Sequence, residues 1–373
     1  MPADLPVVVV GAGLAGAAAA WRLTRAGRQV VLVEAVAPAH GGGSSHGSAR
    51  IFRHAYADPL YVGLTLRALD GWRELEAESG TDLLTITGGL DLGERRDLPG
   101  LHAALDAWGV AHEVLPAEEA RERWPHLAAD GPVLHHPGAG VLDAERAVQA
   151  MVALAVAAGA ELVTGEGLVG LRERADVVEV RLPSRTIRAD SVVLALGGWL
   201  PEVLPSLPPA IADRMPPLVV TQQQVFHFPF AQPVPAPTDW PVLVHQDGLS
   251  IYALPGGRDA GGRGFKIAEH DRGTPTTASG RSGIVDPGSR ERIVGYVRRM
   301  LPGTTPEPYA EATCLYTSTP TEDFVIDRVG RIVVASACSG HGAKFAPLTG
   351  ALIAEAALDR RDAVPARFHL PAP

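Results

Sequence analysis

Two residue types are nearly missing from this chain, and each absence excludes something. Cysteine occurs twice in 373 residues, at Cys314 and Cys338, so a disulfide framework does not hold the fold together. Lysine also occurs twice, at Lys266 and Lys344, although Lys and Arg together number 33. Arg therefore serves wherever a generic surface cation is wanted. A surviving lysine reads either as residual chance or as a position where a compact ammonium fits and a planar guanidinium does not. No basic excess exists: the net charge is −9, which argues against a nucleic-acid partner. Charges or prolines interrupt every apolar run before it reaches membrane-spanning length. Residues 1–10 lack the basic segment of a secretory signal, so a cytoplasmic location is expected. Internal repeats and long low-complexity tails are missing too. The 46% hydrophobic and 20% charged content is that of a soluble globular protein, long enough for two closely packed domains.

The β-branched run 7–10 reads as a buried strand. Gly11-Ala12-Gly13-Leu14-Ala15-Gly16 follows, then an Ala-rich helix to about residue 26, a second strand at 29–33 and Glu34. A lone GxGxxG is weak evidence. Set between a strand and a helix, with an acid after the next strand, it is a dinucleotide fingerprint. Gly11 permits the tight turn, Gly13 lets backbone approach a pyrophosphate, and Gly16 lets the helix sit close to the strand. The helix N-terminus faces the phosphates, and Glu34 is placed to accept from a ribose hydroxyl.

Beyond this unit, 39–47 is a Gly/Ser/His loop. Residues 59–79 form an amphipathic helix, with Leu60, Leu64, Leu69, Trp72 and Leu75 near one face. Segment 83–93 reads as a hairpin, 143–158 as a helix, 161–187 as short strands, and 191–196 as a buried strand ending in Gly197-Gly198-Trp199. Pro-rich loops fill 201–217 and 229–241. Strands at 218–228, 242–254, 265–269 and 309–317 suggest a second, mostly antiparallel sheet. A hairpin spans 324–335, and a helix follows from 347 to 358. The expected fold is α/β: a discontinuous Rossmann-type dinucleotide domain (1–85, 141–215 and 318–373), and a second domain (86–140 and 216–317) with helices on its antiparallel sheet.

Four constellations carry chemistry. In Ser44-Ser45-His46-Gly47-Ser48-Ala49-Arg50-Ile51-Phe52-Arg53, the two arginines are spaced to share one face of a helical turn. They read either as a solvated pair or as a clamp for a carboxylate or an anionic ring. Cys314 sits in Thr313-Cys314-Leu315-Tyr316-Thr317, where a strand cysteine ordinarily reads as a small buried hydrophobe. Ser339-Gly340-His341-Gly342-Ala343-Lys344 is a glycine loop before a helix, offering N–H donors and a charge to an anionic ring edge. Lys266 precedes His270 by four residues.

These motifs, taken in order over nearly the whole chain, resemble the monomeric sarcosine oxidase and N-methyltryptophan oxidase family within the D-amino-acid-oxidase-like flavoproteins. SHGSARIFRHAY, FKIAEH, TCLYTSTPTEDFVID and SGHGAKF carry the likeness. The resemblance implies FAD, held covalently through its 8α-methyl by Cys314. It implies Arg53 and Lys344 on the substrate carboxylate, with Tyr252, His270 and Tyr316 lining the pocket. Arg50, His46, Ser44, Ser45, Leu168, Gly197, Trp199, Gly340, His341 and Gly342 join the fingerprint residues around the cofactor. Lys266 falls where the family promotes reaction with O2. The implied reaction is oxidation of the secondary amine of an N-methyl or cyclic amino acid, by hydride transfer to flavin N5. O2 reoxidises the flavin and H2O2 is released. Catalysis is assigned to Lys266, Arg50, Arg53 and Lys344, in a monomer acting on a small amino-acid-like substrate.

The chain departs from the family pattern at Ser48-Ala49, where Asp-Thr is common, and in a long glycine-rich loop at 255–264. Both bear on the substrate more than on the chemistry. A tailoring oxidase or dehydrogenase on another amino-acid-derived intermediate stays open, as does a non-catalytic flavin-binding module. A pyridine-nucleotide reductase lacks support, because no second GxGxxG unit occurs. His40, His135 and His136 have no metal-ligand spacing and are given loop or surface roles; Cys338 is read as a core thiol.

Overall fold

The computed structural model describes residues 5–231 and 240–372. Strands Val7–Val10, Val30–Glu34 and Ser191–Leu194 are buried along their whole length. They pair in parallel, Val8 opposite Val31 on one side and Val192 on the other. An all-parallel centre is covered on both faces, which explains the continuous valine runs. Glu161–Thr164 adds a parallel edge, and the antiparallel hairpin Val325–Val329/Ile332–Ser336 completes a six-stranded sheet. Helix Leu14–Arg25 lies beside helices Ala144–Ala157 and Ala346–Ala357. Its buried Ala17 to Ala20 run lets helices approach closely: a Cβ on Gly350 would stand 2.4 Å from that of Ala18.

The second sheet has nine strands among the described residues. Its long strand Val219–Pro229 pairs antiparallel with Ala310–Ser318 and Gly264–Glu269. Ser250–Pro255, Val242–Gln246, Gly89–Leu92 and Val133–His136 continue the sheet, and only the contact of Gly89–Leu92 with Val242–Gln246 is parallel. Period-two alternation sorts its side chains. Phe226, Phe228, Phe265 and Ile267 pack with Ile293, Tyr296 and Val297 of helix Pro287–Met300. Val225, His227 and Lys266 point the other way, into a cavity.

Several expectations need correction. Segment 83–93 is not a hairpin: Leu84–Ile86 pairs with Gly140–Leu142, whereas Gly89–Leu92 belongs to the large sheet. Arg50 and Arg53 do not share a helical turn. Ile51 and Phe52 favour extended backbone, and Arg50–Phe52 is a strand paired with Gly140–Leu142. Short helical turns, Leu200–Val203 and Pro209–Ala212, replace a loop at 201–217. The loop at 229–241 lies largely outside the described residues. The helices expected in the second domain, whose positions the sequence reading does not give, are Leu98–Ala107, Ala117–Arg123 and Pro287–Met300. The last carries a legible start, Asp286 accepting from Ser289 N at 2.8 Å with proline in the first turn. Among the described residues no helix is long and apolar enough to cross a membrane.

Candidate active site

One cavity of about 820 Å³ is lined from both sheets, a volume within the ~300–1,000 Å³ of small-molecule and cofactor sites. At the parallel sheet its wall holds Gly11, Gly13, Leu14, Ala15 and Glu34. Gly11 has φ +100°, and a Cβ there would stand 2.4 Å from the Ala195 carbonyl oxygen. Glu34 accepts from Ala12 N at 2.8 Å and Val36 N at 3.1 Å, which fixes the carboxylate at the strand end. Ser45 Oγ accepts from Leu14 N at 3.0 Å. Gly16 does not reach the wall. A Cβ on it would fall 1.8 Å from Gly11 O, so it serves the helix–strand approach. Leu168, Gly197, Trp199 and His40 line the same cavity, with the His40 and Trp199 rings 5.7 Å apart.

Arg50 organises the loop before it. Its guanidinium donates to the carbonyls of Ser44 (3.0 Å), His46 (2.7 Å) and Ala49 (2.9 Å). Ser44 Oγ donates to Leu315 O at 2.6 Å, which ties the loop to the cysteine strand. The buried His46 Nε2 has no partner among the described residues, and burial, then Arg50, pushes this histidine down to about 4. Strand alternation turns Ala312, Cys314 and Tyr316 into the cavity. Lys266 is 4% exposed, and its Nζ donates to Ala49 O at 3.0 Å. Burial first, then Arg50, pulls it down to about 7.

A second cluster gathers around Tyr56. The Arg53 guanidinium lies 4.3 Å and Lys344 Nζ 5.6 Å from the Tyr56 ring. Lys344 is positioned from below, because Trp72 Nε1 donates to its backbone carbonyl at 2.7 Å. Lys344 Nζ donates to His341 O at 2.7 Å. Burial and then Arg53 hold Lys344 well below the usual lysine range. Arg53 Nη1 is buried without a partner among the described residues. His270 is lowered to about 4 by burial, then by Arg53 and Lys344. Tyr252 and Tyr316 share a hydrogen bond, and burial raises both phenols. Arg96 pairs with Asp91, whereas Arg50, Arg53, Lys266 and Lys344 form no such ion pair among the described residues. The wall holds four cations, buried or partly buried, that form no ion pair among the described residues, beside glycines that leave room for backbone approach. A dinucleotide with an electron-poor ring fits such a lining, since its phosphates and its reduced ring are anionic.

The FAD-dependent oxidoreductase (DAO) family model matches residues 6–356. The chain belongs to that family. This oxidoreductase is 32% identical to the monomeric sarcosine oxidase of Streptomyces avermitilis, over 96% of this chain and 95% of that protein. It is 29% identical to the N-methyl-L-tryptophan oxidase of Yersinia pestis, over 96% of each chain. Among solved structures it resembles the open form of NikD, described as an unusual amino acid oxidase essential for nikkomycin biosynthesis. There the TM-score is 0.87 at 26% identity, covering 98% of this chain and 97% of that one.

Thus the cavity of this oxidoreductase gathers Gly340, His341, Gly342, Lys344, Tyr252, His270 and Cys314 with the residues above. Tyr56, Asp259 and Glu322 are among the wall residues that the sequence reading did not assign. Glu322 faces Arg53 and has φ +61°, which a sequence does not announce. Cys338, read as a core thiol, lines the cavity, and burial raises its thiol. His136 is fully buried near Asp91, not at the surface, and His40 faces the cavity. His102, Asp106 and His112 lie close together outside the cavity. There His102 Nδ1 and His112 Nε2 are 2.7 Å apart, hydrogen-bond spacing tighter than two ligands on one tetrahedral ion.

Proposed function

We propose that this oxidoreductase oxidises the secondary amine of a sarcosine-like N-methyl or cyclic amino acid, with O2 as acceptor and H2O2 and an imine as products. The observation that carries the reading is the pair Arg53 and Lys344. Arg53 lowers its neighbour Lys344, neither forms an ion pair among the described residues, and Arg53 Nη1 is buried without a partner there, so a substrate carboxylate between them relieves both. The names of the relatives, sarcosine oxidase and N-methyl-L-tryptophan oxidase, point to the same substrate class.

Bound FAD supplies the two-electron acceptor and the route from amine to O2. We assign it to the parallel-sheet domain (1–85, 141–215 and 318–373), with 86–140 and 216–317 as the substrate domain. Arg53 and Lys344 orient the amino acid by its carboxylate, which converts a collision into a positioned contact. The surrounding cations disfavour an ammonium and keep the amine neutral. Tyr252, Tyr316 and His270 close the pocket; His270, held near 4, stays neutral at physiological pH. Arg50 would balance negative charge on the ring; the N–H groups of Ser339, His341 and Gly342, expected to share that role, instead donate to the carbonyls of Thr317 and Cys338. Lys266 supplies the charge that favours the first reduction of oxygen. The imine hydrolyses after release; an N-methyl substrate yields formaldehyde and the primary amino acid.

Peroxide release from purified yellow protein offered sarcosine, N-methyltryptophan and pipecolate tests the reading. Turnover of at least one supports it, and silence on all three with intact bound flavin overturns it. Pipecolate alone favours a tailoring reaction on a cyclic intermediate; the likeness to NikD, an amino acid oxidase essential for nikkomycin biosynthesis, favours a biosynthetic role.

Cys314 holds the flavin covalently in this account, through the 8α carbon. Acid denaturation is expected to leave the yellow colour with the wild-type chain and to release it from Cys314→Ser. Colour lost equally from both sinks the linkage.

A further inference from the structure

We propose that Asp259 is a positioning residue that keeps Lys266 charged, and that the loop 256–263 is built to hold it in the cavity wall. Its kinetic consequence rests on the assignment of Lys266 to the oxygen step; the charge coupling does not.

The loop is pinned on every side. Ser48 Oγ accepts from Asp259 N at 3.0 Å, and the Ser48 hydroxyl also donates to the Asp259 carboxylate. Arg258 reaches outward to Asp143, at 2.9 and 3.1 Å, which caps helix Ala144–Ala157. Tyr309 OH donates to Ala260 O at 2.8 Å, and Gly256 N donates to Gly264 O at 2.8 Å. Two glycines permit the closest approaches. A Cβ on Gly257 would stand 2.1 Å from Ser48 Oγ, and one on Gly47, at φ +79°, 2.8 Å from Asp259 Oδ2. Between these anchors Asp259 lines the cavity.

Segment 47–49 is thus held between Asp259 and Lys266. Asp259 caps Ser48, while Lys266 Nζ and Arg50 Nη1 both donate to Ala49 O, at 3.0 and 2.9 Å. The groups that act on Lys266 are Arg50 from its strand, Cys314 from strand Ala310–Ser318, across Val219–Pro229, and Asp259 from the loop. His227 is opposite Lys266 in the sheet, and His46 also feels its charge. Arg50 opposes the ammonium. A thiol or thioether sulfur carries no charge. Both histidines are held at about 4, by burial first, and are neutral at pH 7. Asp259 is therefore the carboxylate that favours a charged Lys266. Burial of Asp259 works against its own ionisation, but the Ser48 hydrogen bond, then Lys266 and His227, hold it below the usual carboxylate range. It stays anionic wherever the enzyme works.

The near absence of lysine makes the test direct. Protein labelled with 13Cε-lysine gives two side-chain signals, from Lys266 and Lys344, and Lys266→Met assigns them. In the flavin-loaded enzyme, Asp259→Asn is expected to lower the Lys266 midpoint by about one pH unit, a tenfold change in its protonation equilibrium. The Lys344 signal should stay in place. Ser48→Ala loosens the tether without removing a charge and should shift Lys266 the same way by less. An unmoved Lys266 midpoint in both variants, with the flavin spectrum intact, overturns the proposal. Reoxidation by O2 at a pH above the wild-type midpoint should fall about tenfold in Asp259→Asn, with amine oxidation nearly unchanged. A shifted midpoint with unaltered reoxidation upholds the coupling and refutes the oxygen role of Lys266.

Discussion

Lys266→Met should slow the reaction of the reduced enzyme with oxygen by about 10²–10³-fold, the effect of removing one preorganised charge from a dry site. Oxidation of the amine should change by less than about threefold. The asymmetry follows from where Lys266 sits. It lies on the cavity face of its strand, beside Ala49 and Arg50, whereas the Arg53–Lys344 pair gathers around Tyr56. Rapid mixing of reduced enzyme with oxygen measures the first quantity, and anaerobic mixing with substrate the second. Equal losses in both half-reactions would refute the role. The pH dependence carries a sign. Lysine is charged below its pKa, and burial with Arg50 brings Lys266 to about 7. The oxygen reaction should therefore slow as pH rises through the Lys266 midpoint, and the Met variant should show no step there. Stability moves the other way. A lysine depressed on folding binds fewer protons in the native state, so its destabilising effect is full below about 7 and fades towards the ordinary lysine value. Lys266→Met should be the more stable protein at neutral pH by thermal melting.

Arg53→Met and Lys344→Met should each lower kcat/KM for the amino acid by about 10²–10³-fold, because each removes one half of a desolvated carboxylate clamp. The loss is expected in both kcat and KM, since a substrate held by one cation is mispositioned as well as weakly bound. The diagnostic comparison uses a secondary amine without a carboxylate. It should be a poor substrate of the wild type, and its turnover should be nearly insensitive to either substitution. Steady-state peroxide assays on both substrates read this. A variant that loses the carboxylate-free amine as strongly as the amino acid would place Arg53 or Lys344 in the chemistry itself. Arg53→Lys is not a conservative rescue, because a point charge replaces a fork.

Residues whose meaning is local were legible before the fold was known. Gly11, Gly13 and Glu34 form one strand–turn–helix–strand unit, and all three line the cavity. The two lysines stood out because the composition had removed every other one, and both face the cavity. Helix Pro59–Ser79 has its cap at Asp58 and its stop at Gly80, φ +63°, written into the chain. What stayed hidden depends on which distant segments meet. Arg50 and Arg53 fit a helical spacing, and only pairing with Gly140–Leu142 makes Arg50–Phe52 a strand. The stretch 83–93 alternates like a hairpin, but its two halves are claimed by different sheets. Asp259 lies in a glycine-rich loop flagged for its length. Its partner Ser48, and Asp143, which holds the adjacent Arg258, are far away in sequence, so no local pattern could nominate it.

Oxidation of amines in this cavity by a bound flavin is tested most directly by one measurement. Purified yellow protein is mixed anaerobically with sarcosine, N-methyltryptophan or pipecolate, and then given oxygen. The account predicts loss of the flavin absorbance with at least one amine, and its return on oxygen with stoichiometric peroxide. A flavin that stays oxidised with every amine, in protein whose flavin dithionite still reduces, would contradict it and leave a flavin-binding module.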